Sequence, residues 1–120
     1  MEEIKMIAEF MGWTLDDSHL KSYRKRIGGV FKYVHQSQLK YDTDWNCLMP
    51  VVDKIENIRM KQHENSMEYN VMIEQQRCII TSETQGEICY FVGNIGGKIA
   101  VVYDAVVSFI KWYNEQNPKS

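Results

Sequence analysis

The sequence predicts an α+β fold in which an antiparallel sheet of three to five strands packs between or against helices, in an arrangement like an α/β/α sandwich. Three stretches carry apolar residues at every third or fourth position, which is the period of an amphipathic helix. Between the last two of these stretches, short runs alternate apolar and polar residues and are separated by turn residues, as consecutive antiparallel strands do. Strands grouped together, rather than alternating one by one with helices, are typical of the α+β class.

The predicted helices cover residues 3–11, 44–60 and 98–116. The first has one apolar stripe and ends at Gly12, because glycine adopts positive φ without a steric penalty. The second has a choice of N-caps in residues 42–44, and Pro50 either starts its main part or bends it. The third is apolar on two adjacent faces, so we expect it to be deeply buried.

The predicted strands fall into two groups. A meander of three strands is expected over residues 69–74, 77–82 and 87–92. Residues 20–27 and 30–34 flank Gly28 and Gly29, and they predict two short strands of a hairpin.

Length and composition indicate one domain over residues 1–116, followed by a polar tail at 117–120. The chain has 120 residues, of which 44% are apolar and 25% charged, which is close to the average of globular proteins. The acidic N-terminus does not resemble a signal peptide, and no apolar run is long enough to span a bilayer. We therefore expect a cytoplasmic protein without a membrane partner.

The cysteines and histidines predict neither a disulfide framework nor a metal site. Cys47, Cys78 and Cys89 are odd in number and lack the Cys-x-x-Cys spacing, so we expect small buried side chains in a reducing compartment. The three histidines lie in separate segments without ligand spacing, and the aspartates before helices are explained by capping. No motif positions a nucleophile, a base or a cofactor, so we expect a protein that is not an enzyme.

Residues 18–41 form the most suggestive segment, which we call the basic strip. It holds six lysines and arginines and no acidic residue, and four aromatic residues lie among them. Cations that meet phosphates and rings that stack on bases are how proteins bind single-stranded nucleic acid or a nucleotide. The alternative is a solvated edge hairpin whose aromatic side chains face inward, and we favour it because lysines also protect sheet edges from aggregation. The candidate ligand-binding residues are Lys21, Arg24, Arg26, Lys32, Tyr33 and, from another segment, Lys98.

Two further features have a functional and a structural interpretation. Residues 93–98 form a glycine-rich junction before the last helix, where backbone amides and Lys98 would hold an anion, although a flexible turn is the favoured interpretation. Trp45 and Trp112 are either core residues or the centre of an interface with a partner, where tryptophan is enriched.

Three segments of the chain carry a family resemblance: residues 7–13, 41–56 and 105–114. In Ile7-Ala8-Glu9-Phe10-Met11-Gly12-Trp13 and in the sequences around Trp45 and Trp112, the chain resembles small uncharacterised proteins of gut bacteria and their phages and prophages. The pattern is similar to the phage ABA sandwich domain, an α/β/α layered unit. The resemblance implies a sheet between helical layers and an accessory role in host takeover or counter-defence, and it transfers no catalytic residue.

Three functional hypotheses follow. The leading one is a non-enzymatic accessory protein of phage type that binds another protein or itself. The second is a sponge that sequesters a small anionic ligand such as a nucleotide signal. The third is binding of single-stranded nucleic acid through the basic strip.

Overall fold

The structure is a computed structural model, and it describes residues 2–16, 21–58, 66–93 and 97–117. Its elements, in chain order, are α1 (Glu2–Phe10), β1 (Thr14–Leu15), β2 (Ser22–Ile27), β3 (Val30–His35), one turn of 3₁₀ helix (Gln36–Gln38), α2 (Trp45–Glu56), β4 (Tyr69–Ile73), β5 (Arg77–Ser82), β6 (Gly86–Val92) and α3 (Gly97–Gln116). All three predicted helices are therefore present.

The ends of α1 and α2 follow from their capping residues. Gly12 has φ +94°, its amide donates to the Glu9 carbonyl at 3.0 Å, and the Trp13 amide donates to the Ala8 carbonyl at 2.9 Å. These two bonds form a Schellman motif that ends α1 where the sequence predicts. Asp44, one of the three predicted caps, accepts the Asn46 amide on its side chain at 2.9 Å and starts α2.

The predicted end of α2 near residue 60 is wrong, because the helix ends at Glu56. The side-chain amide of Asn57 donates to the Asp53 carbonyl at 2.7 Å, and its backbone amide also points back into the last turn. The Asp53 carbonyl therefore accepts two bonds from Asn57, since the backbone amide of this C-cap residue also donates to it at 3.0 Å. Pro50 lies inside α2 and is exposed, so it does not start the helix.

The six strands form two three-stranded antiparallel sheets, in the orders β1-β2-β3 and β4-β5-β6. This confirms the α+β class with antiparallel strands packed against helices. The strands are divided between two sheets, because α2 separates β3 from β4 in the chain and the outer edges of the two groups do not pair. We did not predict β1, since a strand of two residues shows no period.

One face of the β4-β5-β6 sheet packs against the helices. Its side chains Tyr69, Cys78, Ile80 and Cys89 are buried together with apolar residues of α2 and α3. Both α2 and α3 contact this sheet and also contact each other, so they lie on the same face, and α1 packs on α3. The expected deep burial of α3 is confirmed, because both of its apolar stripes contribute to the core: Val101, Val102, Ala105, Val106, Val107, Phe109 and Ile110.

The opposite face of this sheet is open to solvent among the described residues. The cross-strand register places Met72 opposite Ile79 and Ile79 opposite Tyr90, and Met72 and Tyr90 are each almost half exposed. The helices that the structure describes therefore form a single layer on this sheet. A second helical layer, as in the α/β/α unit that the sequence resembles, is not among the described elements.

Candidate functional site

The basic strip contains the β2–β3 hairpin, and its residues 18–20 lie outside the described residues. Gly28 and Gly29 have φ of +59° and +84°, which is the backbone of a two-residue type I′ turn, and glycine is the residue that adopts it without strain. A turn of two residues sets the register, so Arg24 lies opposite Tyr33 and Arg26 lies opposite Phe31. Residues that lie opposite each other in an antiparallel pair share a face of the sheet.

One face of this hairpin is exposed and carries both arginines and two rings. We call it the hairpin face, and it consists of Arg24, Arg26, Phe31, Tyr33 and His35. Phe31 and Tyr33 are 47% and 59% exposed. The guanidinium carbons of Arg24 and Arg26 lie 5.5 and 5.9 Å from the centre of the Phe31 ring, within the range of a cation–π contact. The ring therefore holds two cations side by side at the surface.

The other face of the hairpin turns toward the rest of the protein at its base. Tyr23 is buried there, Val34 is half-buried, and the Lys25 ammonium lies 4.6 Å from the centre of the Trp13 ring. Burial lowers the pKa of Lys25, and the nearby charge of Lys54 lowers it further. Lys32 is exposed on this second face, opposite Lys25, so it does not belong to the hairpin face.

The interpretation of the strip as a hairpin with inward aromatic side chains is wrong for two of its four rings. Tyr23 and Tyr41 are buried, whereas Phe31 and Tyr33 point to solvent beside the arginines. The physical reason is the alternation of the strands, which puts Phe31 and Tyr33 on the face opposite to that of Tyr23, and the face of Tyr23 is the one that meets the core. Phe31 and His35 are not among the candidate residues that the sequence predicts. They belong to the site because every second residue of β3 lies on the same face as Tyr33.

The charges of the hairpin face are not neutralised within the described part of the chain. The one ion pair found there joins Arg77 and Glu74, far along the chain in the second sheet. Residues 18–41 hold six of the fourteen lysines and arginines and none of the sixteen acidic residues. This segment therefore carries a formal charge of +6, whereas the rest of the chain carries −8.

A cavity of about 620 Å³ lies at the base of the hairpin. Its floor includes the buried side chains of Ile4 and Leu39, and its charged rim combines three basic and two acidic residues: Lys21, His35, Lys40, Glu3 and Asp42. The Tyr103 hydroxyl also lines it and donates to the Glu3 carboxylate at 2.9 Å. Burial raises the pKa of Tyr103, and the bond to Glu3 raises it further.

Two backbone features shape the cavity wall. Lys21 has φ +60° and is the one non-glycine residue with positive φ in the described ranges. Its carbonyl accepts the Gln36 amide at 2.7 Å, which ties the start of β2 to the 3₁₀ turn after β3. His35 caps that turn, because its Nδ1 accepts the Ser37 amide at 3.1 Å, so a neutral ring carries its proton on Nε2. His35 belongs to both the hairpin face and the cavity.

The other candidate residues are not gathered at this site. Lys98 is exposed in the first turn of α3, and residues 94–96, which the anion-binding junction would need, lie outside the described residues. The packing explains Gly93 instead, since a Cβ atom there would lie 2.8 Å from Cγ2 of Val101.

The two predicted interface tryptophans lie apart. Trp45 starts α2 and is 36% exposed, whereas Trp112 lies near the end of α3 and is half-buried. Ile58 and Tyr113 line one cavity, so the C-terminal ends of α2 and α3 are adjacent. Trp45 is thus separated from Trp112 by about the length of α2, roughly 18 Å at 1.5 Å per residue. Trp112 instead joins an aromatic cluster, with its ring centre 6.1 Å from that of Tyr69 and 5.9 Å from that of Phe109.

The expected burial is confirmed for two of the three cysteines. All three are free, Cys78 and Cys89 are buried, and Cys47 is half-buried. Burial raises the pKa of Cys78 to about 11, which keeps it protonated and unreactive near neutral pH. In the parts of the chain that the structure covers, no three side chains of His, Cys, Asp or Glu gather as metal ligands, while His19 and His63 lie outside those parts.

We compared the chain with models of known families, with curated proteins and with solved structures, and found no match. Within the described ranges, no helix has both the length and the apolar character needed to cross a bilayer.

Proposed function

We propose that this protein binds single-stranded nucleic acid through the hairpin face. The observation that carries the proposal is the pair of arginines beside two exposed rings on one face of β2 and β3. Exposed aromatic rings are sites on which bases stack, and each stacked base contributes about 1–3 kcal/mol. Arginines next to them bind the phosphates that connect the bases.

The geometry favours a single strand over a duplex. The rings of Phe31 and Tyr33 occupy alternate positions of one strand, so both face the same way from a pleated surface. Bases have to be unpaired and splayed out to stack on such rings. Arg24 lies opposite Tyr33 in the register and both guanidinium groups lie over the Phe31 ring, so two cations are available for the phosphates that adjoin the stacked bases.

The distribution of charge supports the same partner. The formal net charge is −2, but the hairpin contains no acidic residue. Interactions at the surface are screened over about 8–10 Å at physiological salt, so a ligand near the hairpin responds mainly to its local positive charge. The acidic remainder of the protein would orient the hairpin toward a polyanion as it approaches.

The test is fluorescence anisotropy of a labelled single-stranded oligonucleotide at low salt. We expect binding, and we expect the double variant Arg24→Ala/Arg26→Ala to bind at least about tenfold more weakly, since even one charge-assisted hydrogen bond contributes about 1.5–3 kcal/mol. The matched control is Lys5→Ala/Lys111→Ala, which removes the same charge from exposed positions on α1 and α3. Equal losses in the two double variants, or no binding by the parent protein, would contradict the proposal.

A second candidate function is self-association, and the outer face of the β4-β5-β6 sheet favours it. The side chains of Met72, Ile79 and Tyr90 form an apolar row across all three strands. Residues 66–93 contain four glutamates and one arginine, so this sheet is acidic where the hairpin is basic. The hairpin face of a second copy therefore complements this face both in charge and through its exposed rings of Phe31 and Tyr33.

Self-association is tested by the native mass from light scattering over a range of concentrations. We expect Met72→Lys to lower any dimer fraction, because it places a cation opposite the basic hairpin. Single-stranded oligonucleotide should also dissociate the assembly, since both partners use the hairpin face. A monomer at every concentration would rule this candidate out and leave the first proposal untouched.

Three expectations stay predictions of the sequence: binding of a different protein partner, an interface at Trp45 and Trp112, and an accessory role of phage type.

A further inference from the structure

The cavity at the base of the hairpin has the size and the polar groups of a small-molecule site. Its volume of about 620 Å³ lies within the range of roughly 300–1,000 Å³ that is usual for ligand pockets. It has an apolar floor, and charged groups of both signs surround that floor. Such a combination selects a ligand with an apolar part, an anionic group and hydrogen-bond donors.

The basic and acidic groups of the cavity suit different parts of one ligand. The ammonium groups of Lys21 and Lys40 are suited to a phosphate, and the Nε2–H of His35 adds a donor. A phosphomonoester carries about −1.5 to −2 charges at neutral pH, which two lysines balance. The carboxylates of Asp42 and Glu3 accept hydrogen bonds from hydroxyl groups, as acidic residues do from a ribose.

We propose that this cavity binds a nucleotide that ends in a phosphomonoester, with Lys21, Lys40 and His35 at the phosphate and Asp42 and Glu3 at the sugar hydroxyls. The Tyr103 hydroxyl holds one oxygen of Glu3 at 2.9 Å and so fixes the acidic side of the site. The ligand is either a free mononucleotide or the phosphorylated end of a strand that lies on the hairpin face. The second form rests on the proposed function, because His35 is where the hairpin face and the cavity meet.

The unusual backbone of Lys21 suits this role. A lysine at φ +60° costs about 1 kcal/mol or more, and strained residues of this kind concentrate at binding sites. Lys21→Asn removes the charge without adding strain, since asparagine tolerates this conformation better than most residues do. It is therefore a clean test of the phosphate site, together with Lys40→Ala.

Calorimetry with adenosine monophosphate, adenosine and inorganic phosphate tests the site. We expect the monophosphate to bind at least about tenfold more tightly than either fragment, because it alone reaches both sides of the cavity. Lys21→Asn and Lys40→Ala should each weaken it by about tenfold or more, whereas the control Lys111→Ala, on an exposed position of α3, should not. Equal binding of adenosine and its monophosphate, or binding that survives both lysine variants, would overturn the proposal.

Oligonucleotides with and without a terminal phosphate then separate the two sources of the ligand. If a 5′- or 3′-phosphate tightens binding in the parent protein but not in Lys40→Ala, the cavity holds the end of a strand. If only the free monophosphate binds, the cavity holds a mononucleotide. An unphosphorylated oligonucleotide tests the hairpin face alone. If it does not bind, the proposed function is contradicted, whereas the cavity proposal is not affected. If no phosphate-bearing probe binds, the cavity proposal fails by itself.

Discussion

The salt dependence of oligonucleotide binding should distinguish the two arginines of the hairpin face from its tyrosine. Arg24→Ala/Arg26→Ala removes the cations that are expected to meet phosphates, and Tyr33→Ala removes a ring expected to stack on a base. Tyr33 is 59% exposed and lies opposite Arg24, but the cation–π contacts of both arginines are made with Phe31. Its removal therefore leaves both arginines supported by that ring.

The expected magnitudes follow from the contacts that each variant loses. For single strands the logarithm of the affinity falls with the logarithm of salt by about 0.7 per phosphate contact. Between roughly 50 and 200 mM salt, one contact therefore accounts for about 2.6-fold and two contacts for about sevenfold. Over this range of salt, the affinity of the double arginine variant should therefore fall by a factor about sevenfold smaller than the factor by which the parent's affinity falls. Tyr33→Ala should lower the affinity by about fivefold to 150-fold at every salt concentration, with an unchanged slope, because stacking releases no counterions.

The assay is anisotropy titration at four or more salt concentrations, with thermal unfolding of each variant as a check on the fold. Exposed positions of this kind change the free energy of unfolding by about 0.5 kcal/mol or less. A double arginine variant that keeps the parent slope would show that these cations do not meet phosphates. A slope that flattens in Tyr33→Ala would show that the loss is not one of stacking. Either result would refute the reasoning for a nucleic-acid site on the hairpin.

Three further predictions concern stability, and each is measured by urea unfolding monitored by tryptophan fluorescence. Phe109→Ala should lower the free energy of unfolding by about 3–5 kcal/mol, because the ring is fully buried and its centre lies 4.8 Å from that of Tyr69. A loss below about 1 kcal/mol would contradict the central place of Phe109 in the core. Gly93→Ala should lower the free energy of unfolding by about 1–3 kcal/mol, because the added methyl group clashes with Val101. The loss should be smaller in a Val101→Ala background. If the effects of the two substitutions are strictly additive, the two side chains do not meet. Burial raises the pKa of Tyr41 to about 12 from an ordinary value near 10, so this group contributes stability below pH 10 that is lost as the pH rises toward 12. Tyr41→Phe should reduce that alkaline loss, and an identical pH profile would place the ionisation elsewhere.

Local sequence patterns predicted the kinds of element well. Each helix has an apolar period, and the two caps that matter most, Asp44 and Gly12, act within a single turn of their own helix. The wrong end of α2 has a local cause as well, since Asn57 stops the helix with a side-chain bond to Asp53 that apolar periodicity does not reveal.

The hairpin was also within reach of the sequence, and so was its register. A two-residue turn at Gly28 and Gly29 pairs Ile27 with Val30, and counting outward from there brings Arg24 to Tyr33. The alternation of a strand then collects the two arginines and two rings on one face without any tertiary information. What the alternation does not reveal is which face meets solvent, because the opposite face also mixes an aromatic residue with lysines.

Tertiary packing decided the rest. The hairpin face is exposed because the opposite face, which carries Tyr23, is the one that packs on the core. The cavity gathers Glu3, Lys21, Asp42 and Tyr103 from four segments spread over a hundred residues. Local patterns were sufficient to predict the three helices, five of the six strands, the turn and the separation of charge, since these depend on neighbours within a few residues. The exposed face, the single helical layer and the cavity depend on how distant segments bury their apolar sides together, and no local pattern records that.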